Sequence, residues 1–176
     1  NTTRNKIFRS LDNLNIKGTV LISKEGININ ISQEYALLEK AIENISKVIK
    51  LDDVHVNRTE SNGIAFQKLK VKIKTEIIKF NYEFQYKNKN KLQTVTPDTW
   101  NKLLNNNAQI IDMRNDFEYS LGTFKNAINL GLKNFTDLKK RVDELNKLDK
   151  NKKTAIFCTG GIRCEKAGMF LNELGF

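Results

Sequence analysis

The spacing of hydrophobic and polar positions divides the chain into two differently patterned parts. In the first part, apolar positions alternate between helical and strand-like spacing. A helix, two strands, a second helix and a third strand are predicted, in this order, over 4–14, 18–23, 27–32, 33–50 and 66–74. Ser32 is the expected N-cap of the second helix. This order predicts a ferredoxin-like (acylphosphatase-like) βαββαβ sheet whose first strand would precede residue 4.

The second part alternates strands with helices throughout. Thr96 is the expected N-cap of its first helix, with Pro97, the only proline, at the first helical position. Two strands and two further helices are predicted over 109–113, 136–148, 154–157 and 164–174 in the order strand, helix, strand, helix. Such alternation is typical of an α/β domain with a parallel sheet and helices on both faces.

The organisation predicted for the chain is therefore α+β followed by α/β. We expect a basic first domain over 1–85, a linker over 86–95 and a second domain over 96–176 that stops before its C-terminal strand and helix. Val54 and Val56 are expected to form a further short strand. The linker is indicated by a polar run rich in Lys and Asn that has no periodicity.

One face of the strand over 66–74 is a row of lysines. Leu69, Val71 and Ile73 alternate with four lysines, which are Lys68, Lys70, Lys72 and Lys74. This row has two interpretations: a solvated outer sheet face, or a surface that contacts nucleic-acid phosphates. The net charge of +10 fits the second interpretation, and most of it lies before residue 92. A composition with 24 Lys and 23 Asn is also typical of an AT-rich genome, so the placement of the lysines matters more than their number.

Composition excludes several classes of protein. No apolar run approaches the ~20 residues that span a bilayer, so no membrane association is expected. Two cysteines fit the reducing cytoplasm rather than a disulfide framework. With His55 as the single histidine, no metal site is expected, and no flavin, haem or iron motif is visible. The sequence indicates no oligomeric state.

The strongest chemical pattern lies between the strand over 154–157 and the last helix. It comprises the residues Cys158, Thr159, Gly160, Gly161, Ile162, Arg163 and Cys164. A cysteine at a strand end, a Gly-rich loop and a helix N-terminus form an anion-binding cradle of backbone N–H groups. The glycine pair is expected to adopt backbone angles that a side chain would forbid. We therefore expect the pKa of Cys158 to fall from ~8.5 toward neutrality or below, which indicates a cysteine nucleophile.

The length of this loop and the segment before it resemble a known superfamily. Cys158 and Arg163 enclose a loop one residue shorter than the Cys-x5-Arg loop of phosphatases, a size that favours a persulfide sulfur over a phosphate. With the upstream pattern of Asp112-x-Arg114, Glu118, Gly-x-Phe and Ala-Ile-Asn, it resembles the rhodanese (sulfurtransferase) superfamily. We expect Asp112, Arg114 and Glu118 to form an ion-pair network that supports the loops around the cysteine.

Three stretches make the resemblance narrower. They are the hairpin GTVLISKEGIN over 18–28, the segment 66–78, and CTGGIRCEKA over 158–167. Together they resemble the rhodanese-containing tRNA uridine hydroxylases, the TrhO family. The resemblance implies oxygen-dependent hydroxylation of the wobble uridine of tRNA at C5. It implies that Cys158 is essential, that residues 159–163 form its loop, that molecular oxygen is a co-substrate and that the anticodon region of tRNA is bound. Cys164 matches the family's second cysteine, whose role stays open.

Other functions remain open from the residues alone. A sulfurtransferase would carry a persulfide on Cys158 from thiosulfate or another donor. A non-enzymatic RNA- or protein-binding module would use the second domain only as a scaffold. A phosphatase is disfavoured by the short loop. A dithiol role for Cys158 and Cys164 requires the two sulfurs to approach each other, which the spacing does not guarantee.

Overall fold

The structure, a computed structural model, describes residues 2–49, 56–84 and 92–176. The chain forms two compact units, Asn1–Ile77 and Ile78–Phe176. The expected strand residue Val54, the single histidine His55 and most of the predicted linker lie outside the described residues. The predicted domain boundaries stay a prediction. Within the described ranges, no helix has the length and apolar character needed to cross a bilayer.

The first unit packs two helices on a three-stranded sheet. Its elements are α1 (Thr2–Asp12), β1 (Lys17–Ser23), β2 (Gly26–Ser32), α2 (Tyr35–Val48) and β3 (Leu69–Ile73). The sheet order is β2-β1-β3, with β1 and β2 antiparallel as the predicted hairpin and β3 parallel to β1. Its core consists of Ile7, Leu11, Ile16, Val20, Ala41, Ile45 and Val71.

The predicted N-cap of the second helix is wrong. Ser32 is the last residue of β2, where it pairs with Lys17 of β1. Its hydroxyl accepts a hydrogen bond from the backbone N–H of Ala65 at 3.1 Å. The helix begins at Tyr35 with Glu34 as its N-cap residue, and no side chain caps it. Strand pairing continues to Ser32 because β1 offers a partner there, and this pairing outweighs the local preference of serine for a cap.

Gly18 of β1 lies where the backbone of β2 leaves no room for a side chain. A Cβ at Gly18 would lie 2.2 Å from the carbonyl oxygen of Asn30 on β2. Gly18 and Gly26 have similar positive φ values, +143° and +146°, but a Cβ at Gly26 would meet nothing within 4 Å. Comparing an Ala substitution at each position therefore distinguishes the free-energy cost of the unfavourable φ angle from the cost of the steric clash with β2.

We expect Gly18→Ala to destabilise the first unit by at least about 2 kcal/mol more than Gly26→Ala, because both substitutions strain φ and only the first displaces β2. Hydrogen exchange of the β1 and β2 amides measures the difference. Equal exchange rates in the two variants would contradict the packing described here.

The second unit is built around a parallel sheet, as predicted. Its elements are α3 (Pro97–Asn105), β4 (Gln109–Asp112), α4 (Asp116–Ser120), β5 (Ile128–Asn129), a 3₁₀ helix (Phe135–Lys140), α5 (Val142–Asn146), β6 (Thr154–Phe157) and α6 (Ile162–Glu173). The order β5-β4-β6 places β4 in the centre, and both neighbours run parallel to it. Thr96 caps α3 by accepting from the N–H of Thr99, with Pro97 at its start, as predicted.

One predicted helix of this unit needs correction. The single helix predicted over 136–148 is a 3₁₀ helix followed by α5, with a break at Arg141 (φ −101°, ψ 20°). Its apolar stripe nevertheless packs in the core, because Leu138 and Leu145 are both buried. Periodicity indicates which side of a segment faces the core and is less sensitive to a short break in its hydrogen bonding.

Residues 78–84 pack on the core of the second unit. Phe80 is fully buried, and its ring centroid lies 5.0 Å from that of Phe135 and 5.5 Å from that of Phe170. Lys166 of α6 is buried and donates to the backbone carbonyl of Ile78 at 2.7 Å. This segment fixes one side of α6, the helix whose N-terminus faces the cysteine loop.

Candidate active site

The cysteine loop joins β6 to α6 at the carboxyl edge of the parallel sheet. Cys158 follows the last residue of β6, and α6 begins at Ile162, two residues earlier than predicted. Gly161 is the N-cap residue of α6 and has a left-handed backbone, φ +80° and ψ −24°. Gly160 does not have a positive φ, so only one glycine of the pair requires the special backbone angle. Open α/β sheets bind ligands at this edge.

The sulfur of Cys158 lies in a cradle of hydrogen-bond donors. The groups that stabilise its thiolate are the thiol of Cys164 and the backbone N–H groups of Cys164, Gly160 and Arg163. The Cys164 thiol, with these N–H groups, lowers the pKa of Cys158 from 9.0 to about 5 against the opposing effect of burial. The direction agrees with the prediction. The pKa of Cys164 is raised, first by its hydrogen bond to Cys158, so this pair holds one thiolate and one thiol.

Glu118 connects α4 to the cysteine loop through Arg163. The guanidinium of Arg163 donates to the two carboxylate oxygens of Glu118 at 2.6 and 2.8 Å. Thr159 donates its hydroxyl to Glu118 at 2.6 Å and accepts from Arg163 at 2.9 Å. Arg163 lowers the pKa of Glu118 to about 2. The carboxylate therefore stays charged and holds the guanidinium beside the Cys158 sulfur.

Asp112 and Arg114 form a second ion pair, at the end of β4 next to the cysteine loop. Asp112 is buried at the end of β4 and accepts from the guanidinium of Arg114, with the shortest contact at 2.6 Å. Thr123 donates to the same carboxylate at 3.0 Å, and Arg114 donates to the carbonyl of Gly122 at 2.6 Å. The Arg114 guanidinium lies 5.2 Å from the ring centroid of Phe157, the last residue of β6. These contacts join β4, β6 and the loop after α4.

The structure thus places Asp112, Arg114 and Glu118 around the cysteine loop. The charged side chains form two ion pairs: Arg163–Glu118 next to the thiolate, and Arg114–Asp112 at the end of β4. Sequence reasoning missed Thr123 and Phe157. Thr123 is the middle residue of the Gly-x-Phe pattern, and Phe157 directly precedes the cysteine, so position alone could have drawn attention to both.

A groove of about 570 Å³ lies elsewhere in this unit. Its lining includes Lys102, Ala108 and Lys153, near the starts of β4 and β6. Because the two strands are parallel, this groove lies at the amino edge of the sheet and Cys158 lies at the carboxyl edge. Ligand sites in open parallel α/β sheets lie at the carboxyl edge, so the cysteine loop and not this groove is the candidate active site.

The lysine row is continuous and exposed on the first unit. The backbone N–H of Gly18 donates to the carbonyl of Lys68, and that of Lys74 donates to the carbonyl of Ile22, so pairing with β1 extends beyond both ends of β3. The side chains in the row are all exposed, which are Lys68, Lys70, Lys72 and Lys74. Val71, between them, is buried on the other face. Alternate residues of a strand lie ~7 Å apart, so the row is about 20 Å long.

The thiolate gives a direct prediction for pH dependence. A thiol with a lowered pKa is deprotonated above that pKa and protonated below it. We expect the rate of Cys158 alkylation by iodoacetamide to stay level from pH 8 to about pH 6 and to halve near pH 5. Mass spectrometry of the alkylated peptide measures the rate at each pH. A midpoint near the ordinary thiol pKa of ~8.5 would contradict the cradle.

Two domain families match this chain. Residues 1–77 match the UPF0176 acylphosphatase like domain, and residues 96–176 match the rhodanese-like domain. The two matches confirm the predicted fold class, an acylphosphatase-like first domain and a rhodanese-like second domain with a parallel sheet.

Curated proteins that are similar to this chain through both domains identify its family. A tRNA uridine(34) hydroxylase of Synechocystis is 40% identical over 94% of this chain and 60% of its own length, and one of Pelagibacter ubique is 41% identical over 92% and 53%. The chain therefore spans little more than half the length of these two curated relatives. A tRNA uridine(34) hydroxylase of Legionella pneumophila is 35% identical over 98% of this chain and 68% of its own length. On this similarity, which extends through both domains, the chain belongs to the tRNA uridine(34) hydroxylase family.

Proposed function

We propose that the protein hydroxylates C5 of uridine 34, the wobble uridine of tRNA, with molecular oxygen as co-substrate. The observation that carries the proposal is the Cys158 thiolate, held in an N–H cradle at the carboxyl edge of the sheet in a member of this family. The relatives are named tRNA uridine(34) hydroxylases, a name that gives the substrate and the hydroxylation. Because tRNA is the substrate, the reaction takes place in the cytoplasm.

In this proposal the residues of the loop have distinct roles. Cys158 is the catalytic residue, and its thiolate is the reactive nucleophile of the site. The backbone over 159–163 stabilises the negative charge on the sulfur. Arg163 adds a fixed charge that Glu118 keeps in position, and the Asp112–Arg114 pair supports the loop from below. Glu118, Asp112 and Arg114 act as positioning residues.

Oxygen labelling tests the proposed reaction. Cells that produce the full-length protein are grown under ¹⁸O₂, and their tRNA nucleosides are analysed by mass spectrometry beside those of a strain without the gene. We expect 5-hydroxyuridine derivatives that carry one ¹⁸O atom, and none in the deletion strain. Hydroxyl groups that contain only ¹⁶O would show that molecular oxygen is not the source of the added oxygen atom. Unchanged amounts in the deletion strain would remove the activity itself.

We further propose that the lysine row of the first unit binds tRNA phosphates near the anticodon. The row is straight, exposed and of one charge, and lysine contacts of this kind release counterions from the nucleic acid. It differs from the exposed basic residues of α1 and α2, which lie on the helices that cover the opposite face of the sheet.

Replacing all four lysines of the row by Gln is expected to weaken tRNA binding and to lower the slope of log K against log salt by about 3, since each phosphate contact contributes ~0.7–0.9. Filter binding across a salt series measures the slope. The matched control replaces four exposed basic residues of α1 and α2, which are Lys6, Arg9, Lys40 and Lys47. Equal slopes in the two variants would place the RNA surface elsewhere.

A second candidate function is persulfide transfer. The six-residue loop and its thiolate favour this function. A persulfide sulfur on Cys158 would accept hydrogen bonds from the same backbone N–H groups. Transfer of sulfur from thiosulfate to cyanide, dependent on Cys158, would favour this function. Its absence, together with the ¹⁸O label, would favour the hydroxylase.

A further inference from the structure

Three large apolar side chains are exposed in and just after α4, the helix that carries Glu118. These residues, called here the apolar rim, are Phe117, Leu121 and Phe124, and their exposed fractions are 64%, 85% and 41%. A single exposed apolar residue is ordinary, whereas a group of them beside a reactive site is typical of a binding surface. The chemistry assigned to Cys158 uses none of the three.

The helical part of the apolar rim is fixed against the cysteine loop. Glu118 accepts from Thr159 at 2.6 Å and from Arg163 at 2.6 and 2.8 Å, so these contacts tie α4 to the loop. Leu121 ends the helix with helical backbone angles, φ −75° and ψ −14°. It lies three residues after Glu118 and four after Phe117, so it is a neighbour of both on the helix surface. The rim therefore begins next to the loop.

Phe124, the last residue of the apolar rim, packs on the residue before Cys158. Its ring centroid lies 4.9 Å from that of Phe157 and 5.2 Å from that of Trp100. The backbone before Phe124 is also held, because the hydroxyl of Thr123 donates to a buried carboxylate of β4 at 3.0 Å. A surface that is already ordered loses little conformational entropy when a ligand binds.

We propose that the apolar rim stacks against the unpaired bases on either side of uridine 34 while that uridine occupies the cysteine loop. This role rests on the proposed function, in which the loop acts on C5 of the uridine. Enzymes that react with a nucleobase take it out of its stack. The bases beside it then lose a stacking partner, and exposed aromatic side chains supply a replacement that tolerates any base.

The exposed area of the rim favours RNA bases over a protein partner. A whole aromatic side chain has ~200 Å² of surface, so the three side chains together expose on the order of 350 Å². A stable protein interface takes ~800 Å² from each partner, more than twice as much. A stacked base needs only an aromatic face, which this segment supplies at both of its ends.

Binding of an anticodon stem-loop RNA to the full-length protein tests the proposal. Two RNAs carry 2-aminopurine, a base whose fluorescence falls when it stacks, directly before or directly after uridine 34. With wild type, the emission of at least one should fall on binding. Phe117→Ala and Phe117→Leu should abolish that fall and weaken binding at least about fivefold, and Phe117→Trp should bind within about twofold of wild type.

The matched control is Tyr35→Ala. Tyr35 is an aromatic residue of α2 in the first unit and is 67% exposed, close to the value for Phe117. This variant should bind the stem-loop as wild type does. A fully paired RNA of the same length offers phosphates without unpaired bases, so wild type and Phe117→Ala should bind it equally. An unchanged alkylation rate of Cys158 in Phe117→Ala verifies that the loop is intact.

Stem-loop binding that Phe117→Ala leaves unchanged would overturn the proposal, as would an equal loss on the paired RNA or full binding by Phe117→Leu. Unchanged RNA binding with a lower unfolding temperature or an altered oligomeric state would assign the rim to a protein contact instead. None of these readouts uses hydroxylation. If the ¹⁸O experiment fails while Phe117→Ala loses the stem-loop, the proposed reaction is wrong and the rim stands as an RNA surface. If the label enters tRNA and Phe117→Ala binds normally, only the rim proposal is wrong.

Discussion

Replacing Cys158 by Ser is expected to lower hydroxylation by the full-length protein more than about 1,000-fold, because a serine hydroxyl is not ionised in this cradle and cannot replace the thiolate. The loop should keep its shape, since the Arg163–Glu118 pair and the N-cap at Gly161 do not involve the sulfur. Formation of 5-hydroxyuridine in tRNA measures the loss. Activity within tenfold of wild type would show that another group carries the reaction.

The difference in stability between wild type and Cys158→Ser should depend on pH. The folded pKa of Cys158 is about 5 and its ordinary value is 9.0, so its ionisation stabilises the fold fully above the higher value and not at all below the lower one. At pH 5 the variant and wild type should therefore unfold within about 1 kcal/mol of each other. The advantage of wild type should grow as the pH rises from 5 toward 9. A large difference at pH 5 would indicate that Cys158 is mainly a packing residue.

Glu118→Gln should be the most damaging substitution among the positioning residues. The side chains of Arg163 and Glu118 are only 13% and 17% exposed, so removing the carboxylate leaves a guanidinium without its partner charge in a poorly solvated position. We expect a loss of about 2–4 kcal/mol in the stability of the second unit, somewhat below the ~3–5 kcal/mol of a fully buried pair. Activity should fall about 10- to 100-fold, because Arg163 is no longer held beside the sulfur.

The matched control is Glu39→Gln. Glu39 accepts from Arg58 at 2.9 Å, but these side chains are 41% and 54% exposed, and the substitution should cost under about 1 kcal/mol. Denaturation followed by hydrogen exchange measures each unit. Since Glu118 has a pKa of about 2 against an ordinary 4.5, its contribution is complete above pH 4.5 and is lost as the pH falls through 2. Equal costs for the two substitutions would contradict the assigned role.

The sequence predicted the helices and strands around the site better than it predicted which side chains pair with each other there. The strand before Cys158, the helix after it and the direction of its pKa shift follow from local patterns. The pairing of Arg163 with Glu118 is a long-range choice, because other carboxylates and guanidiniums were equally compatible with the pattern. The place of Cys164 in the first turn of α6 depends on where this helix begins, and the sequence pattern placed that start two residues too late.

The same limit applies to the first unit. Alternation placed the lysines on one face of β3 and its apolar residues on the other, but it could not predict that β3 lies parallel to β1. An alternating pattern along a strand shows on which face of the sheet each side chain lies. It does not show which strand is the neighbour. The packing of 78–84 on the second unit was missed for a related reason: Phe80 is buried through distant rings that no local pattern connects.

The most direct test of the account compares tRNA nucleosides from cells that lack the full-length gene and carry either wild type or Cys158→Ser, with equal protein levels verified. We predict that 5-hydroxyuridine derivatives are absent without the gene, return with wild type and do not return with Cys158→Ser. Their return with Cys158→Ser would contradict the central claim that the thiolate at the carboxyl edge of the sheet carries out the reaction.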